Sequence, residues 1–328
     1  SSNDVFRFEL ATGKVLQKYT HSGTAYRLAV LPDEKSFIGT DGKNTAVLWE
    51  TATGKKLRTF SGHTKDVYTA IIVNGGKTLI TGSEDKSIKQ WNIATGECLK
   101  TITDKPAFED VFTLATSPNK KRFAMVCDGG YAGVFDSATL EEIWKTKLGE
   151  EGEVVAWSPD GSLIASTSDD GNLYLFHPET GEISKKIKTV QKPHTPITFT
   201  NDSKFIISGG DSVLHVHSVE TGDRLEPEMG FSDDGTYDHL AVGLVGSRVY
   251  VSKGSSWQVL DREDPERNRK FTENQKVTSI ALSDGGDFIA IGFERGQIKV
   301  FDTSRFELLS SMSDKGSVDG LAFLPDGK

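Results

Sequence analysis

His215 and His217 stand two residues apart in a run of β-branched and apolar side chains. On a strand that spacing turns both imidazoles to one face. Such a pair could ligate a metal ion, but no third ligand lies near it in sequence. His217 also falls where neighbouring segments carry a large aromatic side chain, so a packed core histidine is the stronger reading. Glu84-Asp85 and Asp169-Asp170 resemble the paired carboxylates of an acid–base catalyst. They recur at equivalent hairpins, however, where an aspartate bonds its own turn. The chain contains no Gly-x-Ser-x-Gly elbow, phosphate-binding Walker loop, His-Glu-x-x-His or EF-hand loop. The expectation is a protein without catalytic residues, cofactor or metal.

The bulk composition fits that expectation. The 328 residues are 36% hydrophobic and 26% charged, an ordinary globular balance. No run of about 18 apolar residues suits a membrane-spanning helix. A net charge of −9 disfavours nucleic acid and anionic membranes as partners. Cys98 and Cys127 make no CxxC pair or disulfide framework, which points to reduced thiols and a cytoplasmic or nuclear protein. The chain opens Ser-Ser-Asn-Asp, without methionine or a leader-like stretch, and so reads as a processed chain or a piece of a longer one.

The elements that would carry any site are repeats. Short strands end on a large side chain and a polar turn: VFRFELATGK, AVLWETATGK, IKQWNIATGE, AGVFDSATLE, LYLFHPETGE, LHVHSVETGD, WQVLDREDPE and IKVFDTSRFE. Their anchors are Phe8, Trp49, Trp91, Phe135, Phe176, His217, Leu260 and Phe301, spaced 41, 42, 44, 41, 41, 43 and 41 residues apart. Within the second complete unit, residues 67–73, 78–83, 87–93 and 98–102 are β-rich runs bounded by Gly, Asn or Asp. Four short antiparallel strands cannot bury both faces alone, so the units must stack. At this period the result is an all-β fold, a β-propeller of four-stranded antiparallel blades, in one domain over residues 1–328.

The chain resembles the WD-repeat family over essentially its full length. The most specific match is Gly62-His63, Ser83, Asp85 and Trp91-Asn92; His21, Thr40 and Trp49 repeat it in part. The resemblance implies a buried tetrad of His63, Ser83, Asp85 and Trp91. Seven complete units run from about Tyr26 to Ser311, flanked by two strands before (VFRFEL and VLQKY) and one after (317–324). These 31 strands are one short of eight blades, so eight blades are favoured over seven, with the closing blade shared by both termini.

In this family the narrow top face usually binds partners. Carrying its positions over gives Tyr26, Asp66, Tyr68, Glu84, Asp110, Phe112, Asp128, Glu151, Glu153, Asp169, Glu294 and Asp319, with Thr24, Lys276, Thr278 and Ser317 beside them. Nine of these are acidic and one is a lysine. Carboxylates beside aromatic faces suit an arginine or lysine side chain. The leading expectation is a non-catalytic scaffold that binds a basic or amphipathic protein segment on this acidic face, as a monomeric disc within a complex. The alternatives are a sensor or autoinhibitory module of a larger signalling or NTPase protein and, third, a propeller enzyme.

Overall fold

A computed structural model describes residues 4–20, 23, 27–103, 109–189, 197–210, 213–224, 229–230, 239–242, 248–261, 264–283, 285–313, 316–318 and 320–324. These residues form seven four-stranded antiparallel sheets, each paired in simple chain order, and one two-stranded sheet. The blades span 28–61 (I), 67–102 (II), 111–147 (III), 152–188 (IV), 197–230 (V), 239–272 (VI) and 277–313 (VII). The two-stranded sheet is a hairpin of β1 (Asp4–Phe8) and β2 (Val15–Thr20). Among the described residues the only helices are single 3₁₀ turns at Asn74–Gly76 and Pro265–Arg267. None is long and apolar enough to cross a membrane.

Among the described residues the propeller therefore has seven complete four-stranded blades, and the favoured eighth is not formed. Residues 317–324, expected as a strand, make no β-ladder among the described residues. Among the described residues β1 pairs with β2 alone. The hairpin still belongs to the ring. Outer strands bond to the turn before the last strand of the next blade: Arg58 to the Thr95 carbonyl at 2.6 Å, Lys100 to Thr139 at 2.7 Å, and Trp144 Nε1 to Pro178 at 2.8 Å. The hairpin continues this series. Its turn at Gly13 rests on Ser310 and Ser311 of blade VII, and the Tyr19 hydroxyl donates to the Thr51 carbonyl of blade I.

The core lies between blades. The second strands Thr78–Ser83 and Ile164–Ser168 are wholly buried and carry no charge. Where the next blade presses closest they carry glycine. A Cβ on Gly82 would stand 2.7 Å from Val111 Cγ1 of blade III, and one on Gly292 2.6 Å from Val318 Cγ1. Val318 thus holds, against blade VII, the place that Val111 holds against blade II.

Candidate functional site

A single hydrogen bond defines the rim. In blades II, III, IV and VII the residue after the second strand donates its N–H to the carbonyl of the residue before the first: Glu84 to Asp66 (3.0 Å), Asp128 to Asp110 (3.2 Å), Asp169 to Glu151 (2.9 Å) and Glu294 to Lys276 (2.9 Å). The members of each pair are 18 residues apart. The bond fixes both side chains at the mouth of the ring, and in blades II–IV both members are acidic. These three blades are neighbours, so their carboxylates crowd.

The electrostatics show it. Burial raises Asp128, and the charges of Glu151, Asp110, Glu153 and Asp169 push it up to about 6. Burial and Glu84 raise Asp110 too, against the opposing pull of Lys65 and Lys86. Asp128, Gly129, Gly130, Lys147, Glu150, Glu151 and Asp169 line a cleft of about 370 Å³. Asp169 Oδ1 is buried there and accepts no hydrogen bond from the described residues. The Tyr68 and Phe112 rings lie 5.3 Å apart at 33°, forming an aromatic shelf across blades II and III. The Tyr68 hydroxyl donates to Glu84 at 3.3 Å.

The sequence-derived residues separate accordingly. Asp66, Tyr68, Glu84, Asp110, Phe112, Asp128, Glu151, Glu153 and Asp169 come together on blades II–IV, with Glu153 only 8% exposed. Glu294 shares their register but stands in blade VII, beside Lys276 and Arg295. Tyr26 and Asp319 lie outside the described residues. Sequence reasoning passed over the lysines. Lys65 pairs with Glu84 at 2.7 Å, Lys86 pairs with Glu109, and Lys147 lies 4.6 Å from the Tyr131 ring centre. The signal was available, since Lys65 directly precedes the rim residue Asp66 and Lys86 follows Asp85 in the hairpin.

The tetrad needs one correction. His63 Nδ1 bonds Asp85 Oδ2 at 2.8 Å as expected, but the hydroxyl between His63 and Trp91 is Thr81, not Ser83. Trp91 Nε1 donates to Thr81 Oγ1 at 2.9 Å, and Thr81 meets His63 Nε2 at 2.7 Å. Register explains the choice. Trp91 pairs with Leu79, so Thr81 is the next side chain on that face and Ser83 lies one pleat repeat further. Ser83 instead donates to the Lys65 carbonyl and accepts the Asp85 N–H. Burial alone would raise Asp85, yet bonds from His63, Ser87 and the Thr64 N–H hold it well below the usual carboxylate range.

His215 and His217 are both buried in blade V, rings 6.2 Å apart on one face, and burial lowers His217. Among the described residues no group of three His, Cys, Asp or Glu side chains is placed to hold a metal ion.

Meander blades in a ring, latched edge to edge and opening on a polar mouth, define a β-propeller built from a repeated unit. Two family profiles match: "WD domain, G-beta repeat" at residues 54–92 and 266–302, and "Anaphase-promoting complex subunit 4 WD40 domain" at residues 114–208. The chain belongs to the WD-repeat β-propeller family. It is similar to eukaryotic translation initiation factor 3 subunit I of Scheffersomyces stipitis, 25% identical over 318 residues, covering 84% of this chain and 89% of that one. The same subunit of Coccidioides immitis is 23% identical over 260 residues, 78% of this chain and 68% of that one. Protein tipD of Dictyostelium discoideum is 27% identical over 168 residues, 51% of this chain but 26% of that protein.

Proposed function

We propose that this propeller is a non-catalytic scaffold in a multiprotein complex, receiving a basic or amphipathic segment of a partner protein on the mouth of blades II–IV. The convergence of Glu84, Asp110, Asp128, Glu151 and Asp169 beside the Tyr68–Phe112 shelf carries the reading. A guanidinium or ammonium group at the cleft would relieve the mutual repulsion that raises Asp128, supply the buried Asp169 Oδ1 with a donor, and lay its stem on an aromatic face. Similarity to subunit I of a translation initiation factor supports work as one subunit among several, in the cytoplasm. The negative charge at the mouth opposes nucleic acid and anionic lipid there.

The test is calorimetric titration with a synthetic peptide alternating arginine and leucine, against an alternating serine–leucine control. Asp66→Ala, Glu84→Ala and Asp110→Ala together should weaken arginine-peptide binding at least tenfold and leave the circular dichroism spectrum unchanged. Undiminished binding by the triple variant at low and physiological salt would refute the acidic-mouth reading.

A further inference from the structure

The mouth is acidic, but the circumference is basic. Among the described residues, every outer strand of four residues or more carries lysine or arginine except Leu308–Ser313, and Glu142 is the one acidic residue they hold. In a chain of net charge −9, composition alone does not produce this separation. Each outer strand also ends its sheet on an edge that has no ladder partner among the described residues. Lysines on such edges ordinarily keep them from pairing with other strands. The single Lys100 serves on Cys98–Ile102, and it is turned to the Thr139 carbonyl. The outer strand of blade IV, Ile183–Lys188, carries three: Lys185, Lys186 and Lys188.

The pleat and the neighbouring blades set the three ammonium groups. Lys186 and Lys188 are exposed on the face that Tyr174 turns to blade III. There Lys186 Nζ lies 3.2 Å from Asp170 Oδ2 and 5.0 Å from the Tyr174 ring centre. Lys185 shares the opposite face with Ile187, its stem against the Gly222 turn of blade V. Lys185 and Lys188 form no ion pair among the described residues. Ile183 and Ser184 open the strand and are exposed, Ile183 by 40%. Next door, Lys145 and Lys147 of the outer strand of blade III lie over the Tyr131 ring. Opposite charges directly across a ladder stabilise it and like charges do not. This edge therefore repels a second basic strand and favours an acidic one.

We propose that the open edge of Ile183–Lys188 is a docking site for an extended acidic segment of a partner protein, added as a further strand to blade IV. Main-chain hydrogen bonds hold the segment, and its carboxylates select this edge from the others. Side chains alternate along a strand, so acidic residues two apart fall beside Lys186 and Lys188. The recognised pattern is a run of about six residues with aspartate or glutamate at alternate positions. Nucleic acid would use the charge but not the backbone edge. The large rings facing this edge, Trp144 and Tyr174, are 7% and 3% exposed and offer bases no stacking face. The site lies outside the acidic mouth and extends the scaffold reading, since one disc then takes segments of opposite charge on two surfaces. Failure of either surface leaves the other standing.

The test uses fluorescent, end-blocked peptides: one alternating glutamate and threonine, one alternating glutamine and threonine, and the glutamate peptide with proline at its centre. A single-stranded thymidine oligonucleotide of the same charge is the fourth probe. Fluorescence anisotropy is read alongside hydrogen exchange of the amides in Ile183–Lys188. The glutamate peptide should bind saturably and slow exchange of the outward amides at least tenfold; the other three probes should do neither. Lys186→Gln with Lys188→Gln should weaken glutamate-peptide binding at least tenfold and leave the circular dichroism spectrum unchanged. Equal binding of the glutamine peptide overturns the proposal, because charge then selects nothing. Equal binding of the proline-centred peptide overturns it too, because no strand is then added. Protection by the oligonucleotide that depends on the same lysines would make the edge a nucleic-acid surface instead, and absence of protection at millimolar peptide would leave no site.

Discussion

Replacing Asp128 by Asn removes one charge from the most crowded point of the mouth and keeps the side-chain shape. Asp128 is raised from 3.8 to about 6, first by burial and then by four neighbouring carboxylates. A rise of about two pH units is worth ~3 kcal/mol between the two protonation states if fully shielded. The side chain is partly exposed, so solvent screening reduces this to about 1–2 kcal/mol. Between roughly pH 4 and 6 the folded state binds more protons at this site than the unfolded state, so stability falls as pH rises through that window and is flat above it. Asp128→Asn should therefore be more stable than the parent by about 1–2 kcal/mol at pH 7.5. About half of that gain should remain at pH 5, and almost none near pH 4. Urea denaturation followed by tryptophan fluorescence at pH 7.5, 6 and 5 measures it. A destabilised variant at pH 7.5, or a gap that does not change with pH, refutes the claim that repulsion is concentrated at Asp128.

Three further outcomes follow from the same geometry. Thr81→Val should cost about 1–3 kcal/mol by stranding His63 and Trp91, whereas Ser83→Ala should cost about 1 kcal/mol or less; thermal denaturation of both variants decides which hydroxyl the tetrad uses. Asp85 runs opposite to Asp128: its carboxyl is held low in the folded state, so its contribution is present above the unfolded value near 3.8 and lost as pH falls, and Asp85→Asn should flatten the acid limb of a stability–pH curve. Gly82→Ala should destabilise by about 1–3 kcal/mol, because the new methyl meets Val111 and Thr69 at under 3 Å; an unchanged melting temperature would mean that blades II and III can separate there at no cost.

Much of this fold is legible in the sequence for a plain physical reason: strand period and turn chemistry are local. The four runs expected in blade II at 67–73, 78–83, 87–93 and 98–102 appear as Val67–Val73, Thr78–Ser83, Ile88–Asn92 and Cys98–Ile102. The rim positions share one register, since residues 18 apart are joined by one backbone bond in blades II, III, IV and VII. What was missed depends on register or on neighbours. Choosing Thr81 over Ser83 requires knowing that Leu79 faces Trp91. Residues 317–324 have strand-like composition, but a strand needs a ladder, and among the described residues they form none. Lys65, Lys86 and Lys147 were overlooked because a list of aligned positions names rim residues and not the side chains that reach over them.

Carbodiimide labelling of carboxylates, in the free chain and in the complex purified with its natural partners, tests the central claim most directly. The account predicts that Glu84, Asp110, Glu151 and Asp169 lose labelling in the complex while Glu294, in the same register on blade VII, keeps it. Equal labelling of the blade II–IV carboxylates in both states, with protection elsewhere on the ring, would contradict it.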